Sequence, residues 1–147
     1  MIKKEMPKTD FLNNGYTIPY PDDPFEMNSG PFYLGKGSNG ETIVALEVDR
    51  AQCNRGLVAH GGLLMTLADL AVCHEAVKNL NNVNALTVSL TANFLKPAKK
   101  GTILKAFPEV SHRTKRTAFA EAYILADDEK VFTCTSVIRL IPFSCHA

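Results

Sequence analysis

The stretch from Asn54 to Asp69, NRGLVAHGGLLMTLAD, sets a loop amide, a histidine, a glycine pair and a carboxylate close together. Gly61 and Gly62 fall where a helix begins, so their N–H groups have no partner one turn back and no side chain in the way. A carbonyl oxygen can approach such donors and be polarised by them and by the helix dipole. That is an oxyanion hole in outline, and a carboxylate able to take a proton from water would complete the means to attack an acyl carbon. The same glycines would also permit close packing of a helix on a sheet, a use that involves no chemistry.

Asp69 is the sharper signal. At 100° per residue it shares a helix side with Met65, Thr66, Cys73 and Ala76, roughly opposite Lys78 and away from Glu75, so no cation on its own helix neutralises it. A buried, unpaired carboxylate is costly and is kept where it has a use. The alternative is an aspartate turned to solvent or bonded to backbone across a sheet. Gly61 and Asp69 stand eight residues apart, roughly 12 Å along a helix axis, so one helix cannot bring both to one carbonyl. If the two act together, the donor comes from one subunit and the carboxylate from another across a twofold axis, and the active unit is a dimer.

Asn54 lies six residues before His60, near enough to the helix start to orient a substrate carbonyl or a water; the alternative is an Asx turn ahead of Gly56. His60 reads as a helix cap or a ring held by the loop more than as a base. His74, His112 and His146 show no partner spacing, and Cys53 beside Asn54 lacks the pattern of a Cys–His nucleophile. Lys96, Lys99 and Lys100, and the run His112, Arg113, Lys115, Arg116, fall at two strand junctions. There they either bind the phosphates of a nucleotide-bearing substrate or stay as solvated turn charges.

The elements that must position these groups follow from the pattern. Residues 1–30, rich in Pro, Asp and Asn, read as an irregular lead-in that packs loosely. ETIVALEV (41–48) alternates as a strand, and 49–59 is a loop. HGGLLMTLADLAVCHEAVKNL is a helix, apolar nearly all round for its first four turns and therefore buried. Strands are expected over 85–95, 102–111, 115–125 and 130–141. In the first of them Leu86, Val88, Leu90, Ala92 and Phe94 form the core side and Thr87, Ser89, Thr91 and Asn93 the polar side. Residues 97–101 and Asp127-Asp128-Glu129 read as short hairpin connections, and Pro108 needs a bulge or a sheet edge. The simplest architecture is one helix wrapped by a curved antiparallel sheet.

At 147 residues the chain has the size of one domain, read as a lead-in over 1–30, a folded domain over 31–141 and a tail over 142–147. With 46% hydrophobic and 21% charged residues and a formal charge of +1, it lacks the basic excess of a nucleic-acid-binding protein. MIKKEMPKTDFLNNGY has no apolar run, so neither a secretory signal nor a membrane anchor is expected, and a cytoplasmic location follows. Cys53, Cys73, Cys134 and Cys145 show no CxxC or ligand spacing and are expected to be reduced thiols, without zinc or disulfides.

The spacing of Asn54, the His60-Gly61-Gly62 triplet and Asp69 resembles the signature of the PaaI-like hotdog thioesterases, of the 4-hydroxybenzoyl-CoA thioesterase-like superfamily, with its Asn six before the HGG and its Asp nine after the His. TVSLTANFLKPAKKG is similar to the family's central strand and turn, and HRTKRTAFAEAYI to its next hairpin, so the resemblance runs over roughly residues 24–141. It implies an α+β hotdog fold and hydrolysis of an acyl- or aryl-CoA to free acid and CoA, with no cofactor, CoA being part of the substrate. In that reading Asp69 is the base that activates water, or the nucleophile itself. Gly61 N–H polarises the thioester carbonyl, Asn54 positions the carbonyl or the water, and Thr87 aligns with a Ser/Thr that helps hold the water. His60 and Gly62 border the substrate, and Arg113, Lys115 and Arg116 meet the CoA phosphates. The family's dimer sets Asp69 against the other chain's Asn54 and Gly61, in agreement with the distance argument, and such dimers pair into tetramers. Thr114 departs from a glycine often present in the basic hairpin, which bears on nucleotide docking alone. Two rivals share the architecture. A non-catalytic acyl-CoA or aromatic-ligand binder has little use for Asp69, and a dehydratase needs a catalytic histidine opposed by an acid, which the HGG triplet fits poorly.

Overall fold

The computed structural model describes residues 2–144; Cys145, His146 and Ala147, half of the tail drawn at 142–147, lie outside the described residues. Leu, Ala and Met without proline make α2 (Gly61–Val77). His60 caps it, with extended backbone (φ −61°, ψ 138°) and Nδ1 accepting the Gly62 N–H at 2.9 Å. The helix stops where Lys78 turns extended and Asn79 adopts a left-handed φ of 65°. Leu63, Leu64, Leu67, Leu70 and Val72 are buried against the sheet, each contributing about 1.5–3 kcal/mol by burial. One stripe is left uncovered: Gly62 and Met65 are exposed and Thr66, Asp69 and Cys73 half-buried.

Among the described residues six strands form one antiparallel sheet: β1 (Tyr33–Lys36), β2 (Thr42–Glu47), β3 (Val83–Phe94), β4 (Ile103–Arg113), β5 (Thr117–Ala126) and β6 (Glu129–Pro142). Their order is β1-β2-β4-β5-β6-β3, and α2 packs against β2 through β6, as the hotdog architecture requires. β4, β5 and β6 form a meander, with Asp127 and Asp128 at positive φ turning the last hairpin. Pro108 sits opposite Ala122 and past Ala106, where the β2–β4 pairing ends, so no ladder bond is missed on that side.

Three expectations need correction. Residues 97–101 do not close a hairpin: β3 pairs with β6 and β4 with β2. The connection instead crosses the start of α2, where Ala59 N–H donates to the Ala98 carbonyl (2.7 Å) and Lys100 N–H to that of Leu57 (3.0 Å). The alternation of β3 is not continuous either. A bulge between Thr87 and Ser89 shifts the register by one residue, which exchanges the two faces. Ala85 therefore packs on the core and Thr87 reaches α2, while Leu86 and Val88 are 56% and 64% exposed. Lastly, the lead-in is docked. Asp23 accepts the Glu26 N–H and Pro24 starts α1 (Pro24–Ser29), whose end is held by Gln52 Nε2 on the Ser29 carbonyl at 2.8 Å. Phe11 is buried and stacks on Tyr33, and Thr17 pairs with Leu34 on β1, a strand the pattern did not mark.

Candidate active site

Four N–H groups open α2, and three of them are committed. Leu63 and Leu64 donate to the His60 carbonyl, and Gly62 donates to His60 Nδ1. Gly62 is thus not the free donor expected of it; its N–H is spent on the cap. Gly61 N–H has no hydrogen bond to any described residue, and Leu57, one turn back, gives its carbonyl to Lys100. An added Cβ at Gly61 would meet the Phe94 ring at 3.2 Å, so the ring sits close against the helix start. Phe94 is itself 53% exposed, an aromatic wall beside an uncommitted donor.

Asn54 forms the Asx turn: its Oδ1 accepts the Gly56 N–H at 2.9 Å, while its own N–H donates to the Val58 carbonyl. That ties the side chain to the turn through Oδ1 and leaves the Nδ2 donor without a hydrogen bond to any described residue. The two roles weighed for it in the sequence are compatible, because each uses a different atom of the amide.

Two turns along α2, Asp69 is half-buried and not unpaired. The Thr87 hydroxyl donates to its Oδ1 at 2.5 Å, and no described cation pairs with it. Thr87 can reach it because the bulge turns this side chain toward the helix. Cys73 Sγ lies 3.2 Å from Thr87 Oγ1 and 3.9 Å from Asp69 Oδ1; with the threonine proton on Asp69, the thiol donates to Thr87. Burial pushes the Cys73 thiol up to about 11, so it serves as a neutral donor and not as a nucleophile. One carboxylate oxygen is therefore held by Thr87 and the other, Oδ2, is left to accept from a ligand or a water.

Asp69 and Thr87 open into a cleft of about 660 Å³ whose other wall is Tyr20, Asp23 and Glu26 of the N-terminal segment. Tyr20 Oη lies 2.9 Å from His74 Nδ1, and burial lowers the His74 pKa. Burial, then the charges of Asp23 and Asp69, push Glu26 up to about 7. The sequence reading missed this wall, although Asp23-Pro24 is a helix-start signal that would have placed Glu26 on a first turn.

Arg113, Lys115 and Arg116 lie at the other end of α2, on the exposed β4–β5 hairpin. Arg113 Nη1 donates to the Ala76 carbonyl at 3.0 Å, satisfying the helix terminus. From there to Gly61 is the 17-residue length of α2, about 25 Å. One protomer therefore brings Asp69 to Thr87 and ties His60 to Gly62 beside Gly61, with Asn54 on the loop that leads into them, but neither group reaches the other or the hairpin.

A family model described as Thioesterase superfamily matches residues 57–133. A Pseudomonas aeruginosa protein named as an esterase is 32% identical over 112 residues, covering 76% of this chain and 84% of the relative. The acyl-coenzyme A thioesterase PaaI of Escherichia coli is 30% identical over 91 residues, 62% of this chain and 64% of that enzyme. A Bacillus halodurans protein solved with CoA superposes with a TM-score of 0.69 at 25% identity, over 76% of this chain and 74% of its own.

Proposed function

Since the chain belongs to the thioesterase superfamily, we propose that it hydrolyses an acyl-CoA thioester to the free acid and CoA, in a site shared by two copies of the chain. The observation that carries this reading is the uncommitted N–H at Gly61, in a chain where Asp69, the carboxylate held by Thr87, lies two turns along the same helix. The thioester oxygen takes Gly61 N–H and Asn54 Nδ2. Asp69 of the partner subunit, one oxygen held by its own threonine, accepts a proton from water through Oδ2 as the water oxygen bonds to the acyl carbon. The tetrahedral oxyanion draws on the Gly61 donor, the C–S bond breaks with its electron pair on sulfur, and the proton on Asp69 passes to the leaving thiolate. Protein groups and water suffice, with CoA entering as part of the substrate.

Two features support the dimer. The stripe of α2 carrying Asp69 is uncovered, and β3, at one edge of the sheet, has no strand partner on its outer side among the described residues, beside exposed Leu86 and Val88. Antiparallel packing of two copies of α2 turns the hairpin bearing Lys115 and Arg116 toward the partner's helix start, where CoA phosphates would meet it. Pairing of two such dimers, covering the stacked Phe107–Tyr123 face, would give a tetramer. Among the described residues no helix is long and apolar enough to cross a membrane; the free thiols of Cys53, Cys73 and Cys134 suit a reducing cytoplasm. Thiol release from acetyl-, hexanoyl-, decanoyl- and phenylacetyl-CoA tests the reading: turnover of at least one is expected, and turnover of none would overturn it.

A further inference from the structure

The cleft holding Asp69 has an acidic wall that hydrolysis does not need. α1 is fixed at its start by the Asp23 cap and at its end by Gln52, and Lys4 Nζ closes on the Asn28 carbonyl at 2.8 Å. On this fixed turn Glu26 is half-buried at the cleft, and its carboxyl makes no hydrogen bond or ion pair with any described residue. Asp23, Glu26 and Asp69 all border the cleft, and among the described residues no lysine or arginine does. An alkyl group pressed against Glu26 would strip it of water and offer nothing in return, whereas a ligand hydroxyl would give it a partner. A ligand carboxylate would meet like charge at close range in a partly desolvated space.

We propose that Glu26 sets acyl specificity: the cleft accepts neutral acyl groups carrying a hydroxyl at the far end and turns away those that end in a carboxylate. This rests on the thioesterase reading and adds the substrate class to it. Other ionisable groups face Glu26 from each element around it: Tyr20 from the lead-in, Asp23 from the cap of α1, and Asp69, Cys73 and His74 from α2, while β3 supplies only uncharged residues. Burial raises Tyr20, raises Cys73 to about 11 and lowers His74. Of these shifted groups Glu26, at about 7, is the one that gains negative charge between pH 6.5 and 8.5. Rejection of a substrate carboxylate must therefore deepen as pH rises through that range.

The test compares kcat/KM for three acyl-CoAs of equal chain length, hexanoyl, 6-hydroxyhexanoyl and adipyl, at pH 6.5 and 8.5. It uses the full chain and its Glu26→Gln and Glu26→Ala variants, both changes being compatible with a helix. Adipyl-CoA is expected to fall at least about tenfold below hexanoyl-CoA at pH 8.5, with the gap narrowing at pH 6.5 and in both variants. The hydroxylated substrate is expected to exceed hexanoyl-CoA in the unmodified protein and to lose that advantage in Glu26→Ala. Equal efficiency on all three, or a gap unchanged by variant and pH, would overturn the assignment of Glu26 alone. Failure on all three with turnover of another acyl-CoA of the wider panel would likewise overturn the assignment of Glu26, and failure on the wider panel as well would overturn the thioesterase reading beneath it.

Discussion

Replacing Gly61 by proline and, separately, by alanine divides the worth of its N–H from the worth of the space around it. Gly61 is the first residue of α2, where proline is favoured because the missing N–H has no helical partner to lose. His60 ahead of it is already extended at ψ 138°, the conformation a following proline demands. Gly61→Pro therefore removes one donor and leaves the helix standing, with a stability gain of about 0.4–1 kcal/mol from the stiffer unfolded chain. Both variants bring a Cβ to within 3.2 Å of the Phe94 ring, which is half exposed and can give way by the few tenths of an ångström needed. Alanine is thus the steric control. Loss of one oxyanion donor costs about 2.7–4 kcal/mol, or roughly 10²–10³ in kcat, and that factor is expected between Gly61→Ala and Gly61→Pro in a continuous thiol-release assay. Equal kcat in the two variants, both folded by circular dichroism, would refute the assignment of this N–H to the thioester oxygen.

Thr87→Val, which keeps the branch and the strand propensity, should lower kcat about tenfold by releasing Asp69, while Thr87→Ser retains most activity; equal rates for Val and Ser would remove the hydroxyl from the mechanism. Asn54→Asp keeps the Oδ1 acceptor of the Asx turn and deletes the Nδ2 donor, so an unchanged melting temperature with a loss of about 10² in kcat/KM is expected. Full activity there would confine Asn54 to the turn. Mixing an Asp69→Asn chain with a Gly61→Pro chain should restore turnover, since a mixed dimer rebuilds one intact site. A mixture as inactive as its parts, with subunit exchange shown by mass spectrometry, would place the whole site within one chain.

The helix and most strands were legible because their signals are local: α2 is a long run of good helix formers behind a capping residue, and β5 alternates without interruption. What was not legible depends on non-local geometry. Nothing in TVSLTANF announces the bulge after Thr87, yet that one residue decides whether Thr87 faces solvent or Asp69. The place of β3 beside β6 is likewise set by how the sheet closes around the helix, so residues 97–101 look like a hairpin connection in the sequence and instead cross between non-adjacent strands. The distance limit between Gly61 and Asp69 came from helix geometry alone and needed no tertiary information. Which helix-start donor stays free required the structure, because His60 could have capped any of several N–H groups and takes that of Gly62. The acidic wall at Glu26 was hidden by a Pro- and Asp-rich composition that also encodes a capped helical turn.

The most direct measurement is thiol release from the acyl-CoA panel by the unmodified chain and by Asp69→Asn, which removes the charge at nearly constant shape. Turnover by the first that falls by roughly 10²–10⁴ in the second, as loss of a positioned base requires, is the expected result. Equal turnover by both, or no turnover by either with acyl-CoA binding intact in both, would contradict a carboxylate-driven thioesterase and leave a fold that holds acyl-CoA without cleaving it through Asp69.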